Sequence, residues 1–185
     1  DVYKRQELID DYLIKAMEEI GDRFEKQQAF VPELLMAGRA MKASLSLLQP
    51  LLKGDEATSQ LGTIVIGTVK GDLHDIGKNL VGSMFEGCGF QVVDLGVDAD
   101  SDKFVTAVKE HGANLVGLSA LLTTTMPYMK TIIEGLKAAG LRDKVKVMVG
   151  GAPVSSSFAE EIGADGYSDS ANSAVIKAKE LLGVA

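Results

Sequence analysis

The hydrophobic positions follow two different patterns along the chain. From residue 3 to about residue 52 they recur every three or four residues, which predicts amphipathic helices. From Leu61 onward, short runs rich in valine, isoleucine and leucine alternate with amphipathic stretches. The stretch between the two regions is polar. We therefore expect a helical module over residues 1–53, a linker over residues 54–60 and a second domain over residues 61–185.

The first region predicts two helices. The apolar positions of the first helix are Leu8, Tyr12, Met17, Ile20 and Phe24. Gly21 is expected to be a tolerated weak point in it. The second helix is expected to begin with Pro32, because a proline at the first helical position loses no hydrogen bond, and to end near Pro50. Two helices cannot bury both apolar faces against each other, so they must pack on something else.

The second region predicts strands that alternate with helices. The expected strands are 63–68, 91–95, 115–119, 146–149 and a short one at 166–167. The expected helices are 78–86, 101–111, 126–139, 156–162 and 171–182. Continuous apolar strands joined by helices are typical of a parallel sheet that is covered on both faces. The pattern predicts an α/β domain with a flavodoxin-like, Rossmann-like sheet of five parallel strands in the order 2-1-3-4-5.

Composition narrows the range of functions. The 185 residues are 46% hydrophobic and 24% charged, which is typical of a globular protein. No apolar run approaches the roughly 20 residues of a membrane span, and no signal peptide is visible, so we expect a cytoplasmic protein without membrane contact. The single cysteine, Cys88, excludes an internal disulfide and is expected to be a packing residue. The net charge of −7 with scattered lysines argues against nucleic-acid binding.

The loop after the first predicted strand is the best candidate for chemistry. Residues 71–79 read GDLHDIGKN, which places a histidine between acids at the edge where open α/β sheets bind ligands. A neutral imidazole is a good metal ligand, and the group bonded to its other nitrogen tunes it. Asp72 is close enough in sequence to His74 to be that group. The alternative is a loop histidine that merely bonds a neighbouring acid.

This loop resembles the Asp-x-His-x-x-Gly signature of cobalamin-binding domains, with Asp72, His74 and Gly77 at the fixed positions. The resemblance implies a cobalamin or related corrinoid, bound with His74 as the axial cobalt ligand in place of the cofactor's own base. Asp75 and Ile76 are then expected to contact the cofactor. The longer run 69–79 is most similar to methyl-transferring proteins, which include methionine synthase and the small corrinoid proteins of methanol, methylamine and aryl-ether demethylation.

Two further loops support this resemblance. Ser119, Leu121 and Thr123 match the family's Ser-x-Leu loop after the third strand, which lines the cavity for the cofactor's nucleotide tail. Gly150 and Gly151 match a Gly-Gly pair after the fourth strand, where the tail needs clearance. Without the family, the two glycines are an ordinary tight turn. The stretch 168–170 is expected to close one wall of the same cavity.

Thr125 stands where methionine synthase has a serine, and it keeps the hydroxyl group. The resemblance implies a proton relay behind the cobalt that consists of His74, Asp72 and Thr125. Threonines can also cap helices. We expect one threonine of 123–125 to serve the site and another to cap the helix predicted from Met126.

The N-terminal helices resemble the helical module that caps the corrin in resting methyl-transferring proteins. Phe24 and Val31 match the positions over the methyl group, where an apolar lid protects a reactive bond from water. The alternative is that these residues only hold the helices together. About two of the family's usual four helices are present and the chain begins with Asp1, so the module is expected to be truncated.

The resemblance as a whole implies a corrinoid carrier, a subunit of a methyltransferase system that is not catalytic alone. Its Co(I) corrinoid accepts a methyl group from a substrate-specific methyltransferase and, as methyl-Co(III), donates it on a second, acceptor methyltransferase. A reductive activase is a further expected partner. The alternatives are the cobalamin subunit of an adenosylcobalamin mutase, a B12-binding sensor domain, and a flavodoxin-like receiver without a corrinoid. The helical module argues against the mutase, and no sensor output element is visible.

Overall fold

Parallel strands form one sheet in the order β2-β1-β3-β4-β5. The strands are β1 (Thr63–Thr68), β2 (Gln91–Asp94), β3 (Leu115–Ser119), β4 (Lys146–Gly150) and β5 (Gly166–Tyr167). The computed structural model describes residues 7–48, 51 and 61–184, so the predicted linker at 54–60 lies outside the described residues. The flavodoxin-like fold and its strand order are confirmed, and the strand bounds differ from the prediction by at most one residue.

Helices cover both faces of this sheet. They are α1 (Lys15–Glu25), α2 (Val31–Leu48), α3 (Ile76–Gly87), α4 (Ser101–His111), α5 (Pro127–Ala138), α6 (Ser156–Ile162) and α7 (Ala171–Leu182). Helices α4, α5 and α6 pack on one face, and α3 and α7 pack on the other. In β1, Val65 contributes to the first core while Ile64 and Ile66 contribute to the second, because successive side chains of a strand face opposite sides.

The first predicted helix is not one regular α-helix. A π-helical segment, Leu8–Ile14, runs directly into α1. The wider π turn shifts the buried face, so that Ile9 is buried and Leu13 is partly buried, while Leu8 and Tyr12 are 47% and 63% exposed. The prediction that Leu8 and Tyr12 face the core was therefore wrong.

Gly21 is a point of close contact, which corrects its interpretation as a weak position. A Cβ atom on Gly21 would lie 2.4 Å from Oδ1 of Asn172, at the start of α7. Asn172 is buried, and its Nδ2 atom has no hydrogen-bond partner among the described residues. The absence of a side chain at Gly21 lets α1 approach α7.

The helical module packs on α3 and α7. These two helices bury the apolar faces that the module's helices cannot bury against each other. At its start, α2 includes Pro32 as its second residue, and the Phe30 N–H donates to Glu33 Oε2 over 2.7 Å. The ion pairs Glu18–Lys179 (2.8 Å) and Lys42–Glu86 (2.9 Å) join the module to the sheet domain. Within the described ranges, no helix is both long and apolar enough to cross a membrane.

Cys88 follows α3 and is buried in the core that the module shares with the sheet. Burial raises the pKa of its thiol to about 11, so the thiol stays protonated at neutral pH. These properties agree with the predicted packing role.

Candidate functional site

The loop that follows β1 is held by hydrogen bonds at its beginning and its end. The hydroxyl group of Thr68, the last residue of β1, donates to the His74 carbonyl over 2.9 Å. The Gly71 N–H donates to Asp98 Oδ1 over 2.7 Å, and the Asp98 N–H donates to the Asp72 carbonyl over 3.0 Å. Gly71 has a φ of +80°, a conformation that glycine adopts without strain. The loop is therefore fixed before α3 begins.

His74 is held by Asp72 through a single ring nitrogen. Nδ1 of His74 lies 2.7 Å from Asp72 Oδ1, which also accepts the His74 backbone N–H over 3.1 Å. Asp72 is fully buried, whereas the His74 side chain is 51% exposed. An ionised carboxylate can only accept hydrogen bonds, so Nδ1 carries a proton and the lone pair of a neutral ring is on Nε2. Nε2 is thus the nitrogen available to a metal ion.

The second oxygen of Asp72 binds a different loop. Oδ2 accepts the Thr125 hydroxyl over 2.7 Å and the backbone N–H groups of Leu121 and Leu122 over 2.8 and 3.3 Å. Burial alone would raise the pKa of Asp72. Hydrogen bonds from Leu121, His74 and Thr125 outweigh it and hold the pKa of this carboxyl well below its usual range. Asp72 is therefore a buried anion at neutral pH.

The expectation that a threonine caps the helix after this loop was wrong. Helix α5 begins at Pro127 after Met126, with no side-chain cap hydrogen bond. A turn supplies the partners instead, because the first backbone N–H groups of α5, those of Tyr128 and Met129, donate to the carbonyls of Thr125 and Met126. Before the helix, the backbone N–H groups of Thr125 and Met126 both donate to the Leu122 carbonyl. The Thr125 hydroxyl also lies 2.9 Å from that carbonyl, so its one proton can point either there or to Asp72.

A cavity of about 730 Å³ begins at this edge of the sheet, with His74 in its wall. The predicted site residues that line it are Phe24, His74, Asp75, Ile76, Gly77, Ser119, Leu121, Gly150 and Gly151. The expected wall at residues 168–170 lines it as well. Asp72 and Thr125 are buried and do not line the cavity. Asp72 bonds both Thr125 and His74, and His74 lines the cavity. Thr123 and Val31 are exposed and are not part of the cavity wall.

The paired glycines meet neighbouring backbone. Gly151 has a φ of +125°, and a Cβ there would lie 1.9 Å from the Ala120 carbonyl oxygen. A Cβ on Gly150 would lie 3.2 Å from the Ser168 carbonyl oxygen. Glycine is therefore required at 151, because the loop after β4 packs against the loop after β3 there. The space left by the missing side chain adjoins the cavity.

Sequence reasoning missed the lower part of the cavity. Its walls include the following residues of the sheet and of the helices α3 and α7: Ile64, Ile66, Leu80, Val81, Phe85, Gly117, Met148 and Ala174. One signal was available, since a glycine inside an apolar strand often marks a place where a ligand approaches closely. Gly117 is such a residue.

Lys78, in the first turn of α3, was also missed. Its side chain is 1% exposed, and Nζ lies 2.7 and 2.6 Å from the two carboxylate oxygens of Asp94 and 2.7 Å from Asn79 Oδ1. This ion pair ties the start of α3 to the end of β2. Because Lys78 directly follows the histidine loop, it helps to hold the cavity wall in place.

Two protein-family models match most of the chain. One, described as a B12 binding domain, matches residues 62–176, and a second with the same description matches residues 2–49. The chain belongs to the B12-binding family. The cofactor of this B12-binding protein is a corrinoid, as the histidine loop predicted.

The relatives place it among the corrinoid proteins. It is 50% identical over 166 residues to dimethylamine corrinoid protein 3 of Methanosarcina mazei, covering 90% of this chain and 99% of the relative. A cobalamin-binding protein from Desulfitobacterium hafniense superposes with a TM-score of 0.83 at 38% identity, covering 97% of this chain and 84% of that one. These matches favour the predicted carrier function over the mutase and the sensor.

A third match comes from a complex. The crystal structure of a methanol:cobalamin methyltransferase complex from Methanosarcina barkeri contains a chain that superposes with a TM-score of 0.81 at 28% identity, covering 97% of this chain and 68% of that one. A relative of this B12-binding protein therefore occurs together with a methyltransferase.

Proposed function

We propose that this protein carries a methyl group between two methyltransferases, on a corrinoid whose cobalt is ligated by His74 and whose nucleotide tail occupies the cavity. The observation that carries the proposal is the hydrogen-bonded chain His74–Asp72–Thr125 in the wall of an apolar cavity. The bound corrinoid supplies a cobalt that takes up and gives up the methyl group. The residues of the chain supply ligation, proton control and shielding.

Asp72 controls the state of the His74 ring. As a buried anion it keeps the proton on Nδ1 and fixes the orientation of the imidazole, which leaves Nε2 free to ligate. When the ring does not ligate, the relay can follow that change by taking up or releasing a proton. The Thr125 hydroxyl can strengthen or weaken its hydrogen bond to Oδ2 as that proton moves. We assign the proton relay to these three residues.

Phe24 covers the cavity from the helical module. It is partly buried in α1 and lines the cavity together with the histidine loop. An apolar ring there excludes water from the reactive face of the cofactor. A partner methyltransferase reaches that face after the module moves away, and we expect the predicted linker at 54–60, which lies outside the described residues, to act as the hinge. The proposal also keeps Val31 over the methyl group and Thr123 beside the nucleotide tail, although neither residue lines the cavity.

The comparisons support a methyltransferase as a partner. Similarity to dimethylamine corrinoid proteins supports a methylamine as the methyl donor, bound by a substrate-specific methyltransferase. The proposal includes a second, acceptor methyltransferase, a reductive activase and a cytoplasmic location. Pull-down with the methyltransferases encoded beside the gene, followed by methyl transfer from each methylamine, tests the donor and both partners.

The ligand assignment is tested by electron paramagnetic resonance of the Co(II) form. His74→Ala is expected to keep the corrinoid bound through the cavity but to lose the splitting from the axial imidazole nitrogen. His111→Ala is a matched control, since His111 is the other histidine of the chain and is exposed at the end of α4. An unchanged nitrogen splitting in His74→Ala would overturn the assignment.

A further inference from the structure

The loop between β2 and α4 packs against the histidine loop that follows β1. We call its residues 95–100 the support loop. An isolated parallel bridge pairs Val69 with Ala99. The Ala99 N–H donates to the Thr68 carbonyl over 2.9 Å, and the Thr68 N–H donates to the Gly96 carbonyl over 3.0 Å. The support loop thus continues the pairing of β1 with β2 beyond the ends of both strands, which fixes its position relative to β1.

Asp98 contacts the histidine loop with both its side chain and its backbone. Its Oδ1 atom accepts the Gly71 N–H over 2.7 Å, and its own N–H donates to the Asp72 carbonyl over 3.0 Å. Asp72 is fully buried, so its carbonyl oxygen would lose a partner in the interior if Asp98 moved away. Asp98 therefore holds the backbone of Gly71 and Asp72 in place.

The backbone of Asp98 has a conformation that side chains rarely allow. Its φ is +51°. Nine of the described residues with positive φ are glycine, and the two others are Asp98 and Gln27. A glycine would adopt this conformation without strain, but it could not accept the Gly71 N–H. Aspartate tolerates the left-handed region better than most residues. The side-chain contact therefore explains an aspartate where the backbone alone would favour glycine.

The position of the Asp72 backbone determines the orientation of the His74 ring. Asp72 Oδ1 accepts the His74 N–H over 3.1 Å and lies 2.7 Å from Nδ1 of the ring. Its Oδ2 is held by three donors from the loop after β3. Because Oδ2 is anchored in this way, a shift of the Asp72 backbone would rotate the carboxylate and change the direction of Nε2. The group behind a metal-ligating histidine sets its orientation and its strength as a ligand.

We propose that Asp98 is a positioning residue that orients Nε2 of His74 toward the cobalt by holding the backbone of Asp72. The inference rests on the proposed function, in which His74 ligates the cobalt of the corrinoid. Asp98 acts on the ring through Gly71 and Asp72. Loss of its side chain should weaken the bond between His74 and Co(II) roughly tenfold, the lower end of the effect of groups that support a metal ligand.

The midpoint potential of the Co(II)/Co(I) couple of the bound corrinoid measures this bond, because an imidazole ligates Co(II) but not four-coordinate Co(I). A tenfold weaker bond should raise the potential by about 59 mV in Asp98→Ala. Asp98→Gly, which allows the backbone conformation but has no acceptor, should show a similar rise. Asp98→Asn also lacks the charge but keeps an acceptor oxygen, so it should stay near the wild-type value. Wild-type potentials in the alanine and glycine variants would overturn the proposal.

A second set of variants lacks the imidazole. In a His74→Ala background, Asp98→Ala should leave the potential unchanged, since no ring remains to be oriented. A rise of equal size with and without His74 would show that Asp98 acts through its charge or through stability, and it would overturn the proposal. If His74→Ala itself has the wild-type potential, the ligand assignment of the proposed function fails, and the role of Asp98 fails with it.

Asp100→Ala is the matched control for a general loss of stability. Asp100 belongs to the same support loop, and its Oδ1 accepts the Lys103 N–H at the start of α4 over 3.1 Å. This variant should keep the wild-type potential, and a rise as large as that of Asp98→Ala would overturn the proposal.

Hydrogen exchange tests the contact without the corrinoid. In the corrinoid-free protein, the Gly71 amide should exchange roughly tenfold faster in Asp98→Ala than in the wild type, because it loses a hydrogen bond to a carboxylate. Asp98→Asn should exchange at nearly the wild-type rate. Equal exchange at Gly71 in all three proteins would show that the Asp98 side chain does not hold the histidine loop, and the proposal would fail.

Discussion

Asp72 and Thr125, which are 53 positions apart in the chain, meet over 2.7 Å between carboxylate Oδ2 and hydroxyl Oγ1. The other carboxylate oxygen of Asp72 holds the His74 ring. One fully buried carboxylate thus joins the loop after β1 to the loop after β3. Because both loops bond this anion, a substitution at Thr125 is expected to alter the hydrogen bond between Asp72 and His74 without direct contact between Thr125 and His74.

Removal of the Thr125 hydroxyl should destabilise the protein. Thr125→Val keeps the shape of the side chain but leaves Asp72 with one donor fewer, and a hydrogen bond to a charged group contributes about 1.5–3 kcal/mol. The free energy of unfolding, measured in urea at pH 7, should fall by that amount. Thr125→Ser keeps the hydroxyl and should stay near the wild type. Equal values for the valine and serine variants would contradict the prediction.

Asp72 should make the stability depend on pH at acidic values. Its pKa is lower in the folded than in the unfolded protein, so it contributes stability that is present above the unfolded value of about 3.9 and is lost as pH falls towards the folded value. Asp72→Asn removes this contribution. The difference in unfolding free energy between wild type and Asp72→Asn should be constant near pH 7 and shrink below about pH 4. A constant difference from pH 7 to pH 3 would show that Asp72 does not titrate as described.

Phe24 should protect the methylated cofactor. Phe24→Ala opens the cavity wall on the side of the helical module, so photolysis of the bound methyl–cobalt bond should be faster, because the separated fragments escape more readily. Phe30→Ala is the control, since Phe30 belongs to the same module, is 65% exposed and does not line the cavity. Photolysis rates are followed by absorbance. Equal rates in both variants would assign Phe24 to packing alone.

Gly21 and Asn172 should show a strong coupling. Gly21→Ala places a methyl group against Asn172 Oδ1 and should lower the free energy of unfolding by about 1–3 kcal/mol, as overpacking does. In the Asn172→Ala background the space is free, and the same change should raise stability by up to about 1 kcal/mol, because alanine is the better helix former. A double-mutant cycle in urea measures the coupling. Additive effects would show that the two residues do not compete for space.

The histidine loop and the strands could be predicted because their signals are local. An apolar run of Val, Ile and Leu predicts a strand from its own residues, and alternation with amphipathic stretches predicts a parallel order. That order places the loop after β1 beside the loop after β3 without further information. The loop around His74 stands out in this way, whereas the loops at 119–125 and 150–151 were singled out by their resemblance to cobalamin-binding domains.

The helical module shows where local signals fail. The spacing of its apolar residues allows a regular helix, but packing against the neighbouring helices is better served by a π-helical start, which buries Ile9 and exposes Tyr12. Gly21 has a low helix propensity, and its contact with Asn172 depends on a helix 150 residues away. No property of the residues next to Gly21 contains that information.

The chain by itself therefore determined the fold, and it pointed to the loop histidine and its carboxylate partner, since each depends on residue types at short spacing. Only the tertiary structure decided that the backbone N–H groups of Leu121 and Leu122 also bond the carboxylate, that no threonine side chain caps α5, and that Gly117 packs closely on Ile64 and Ile66. These features arise where side chains distant in sequence compete for the same space or the same proton. Packing density and hydrogen-bond geometry settle such competition, and both exist only once the elements are assembled.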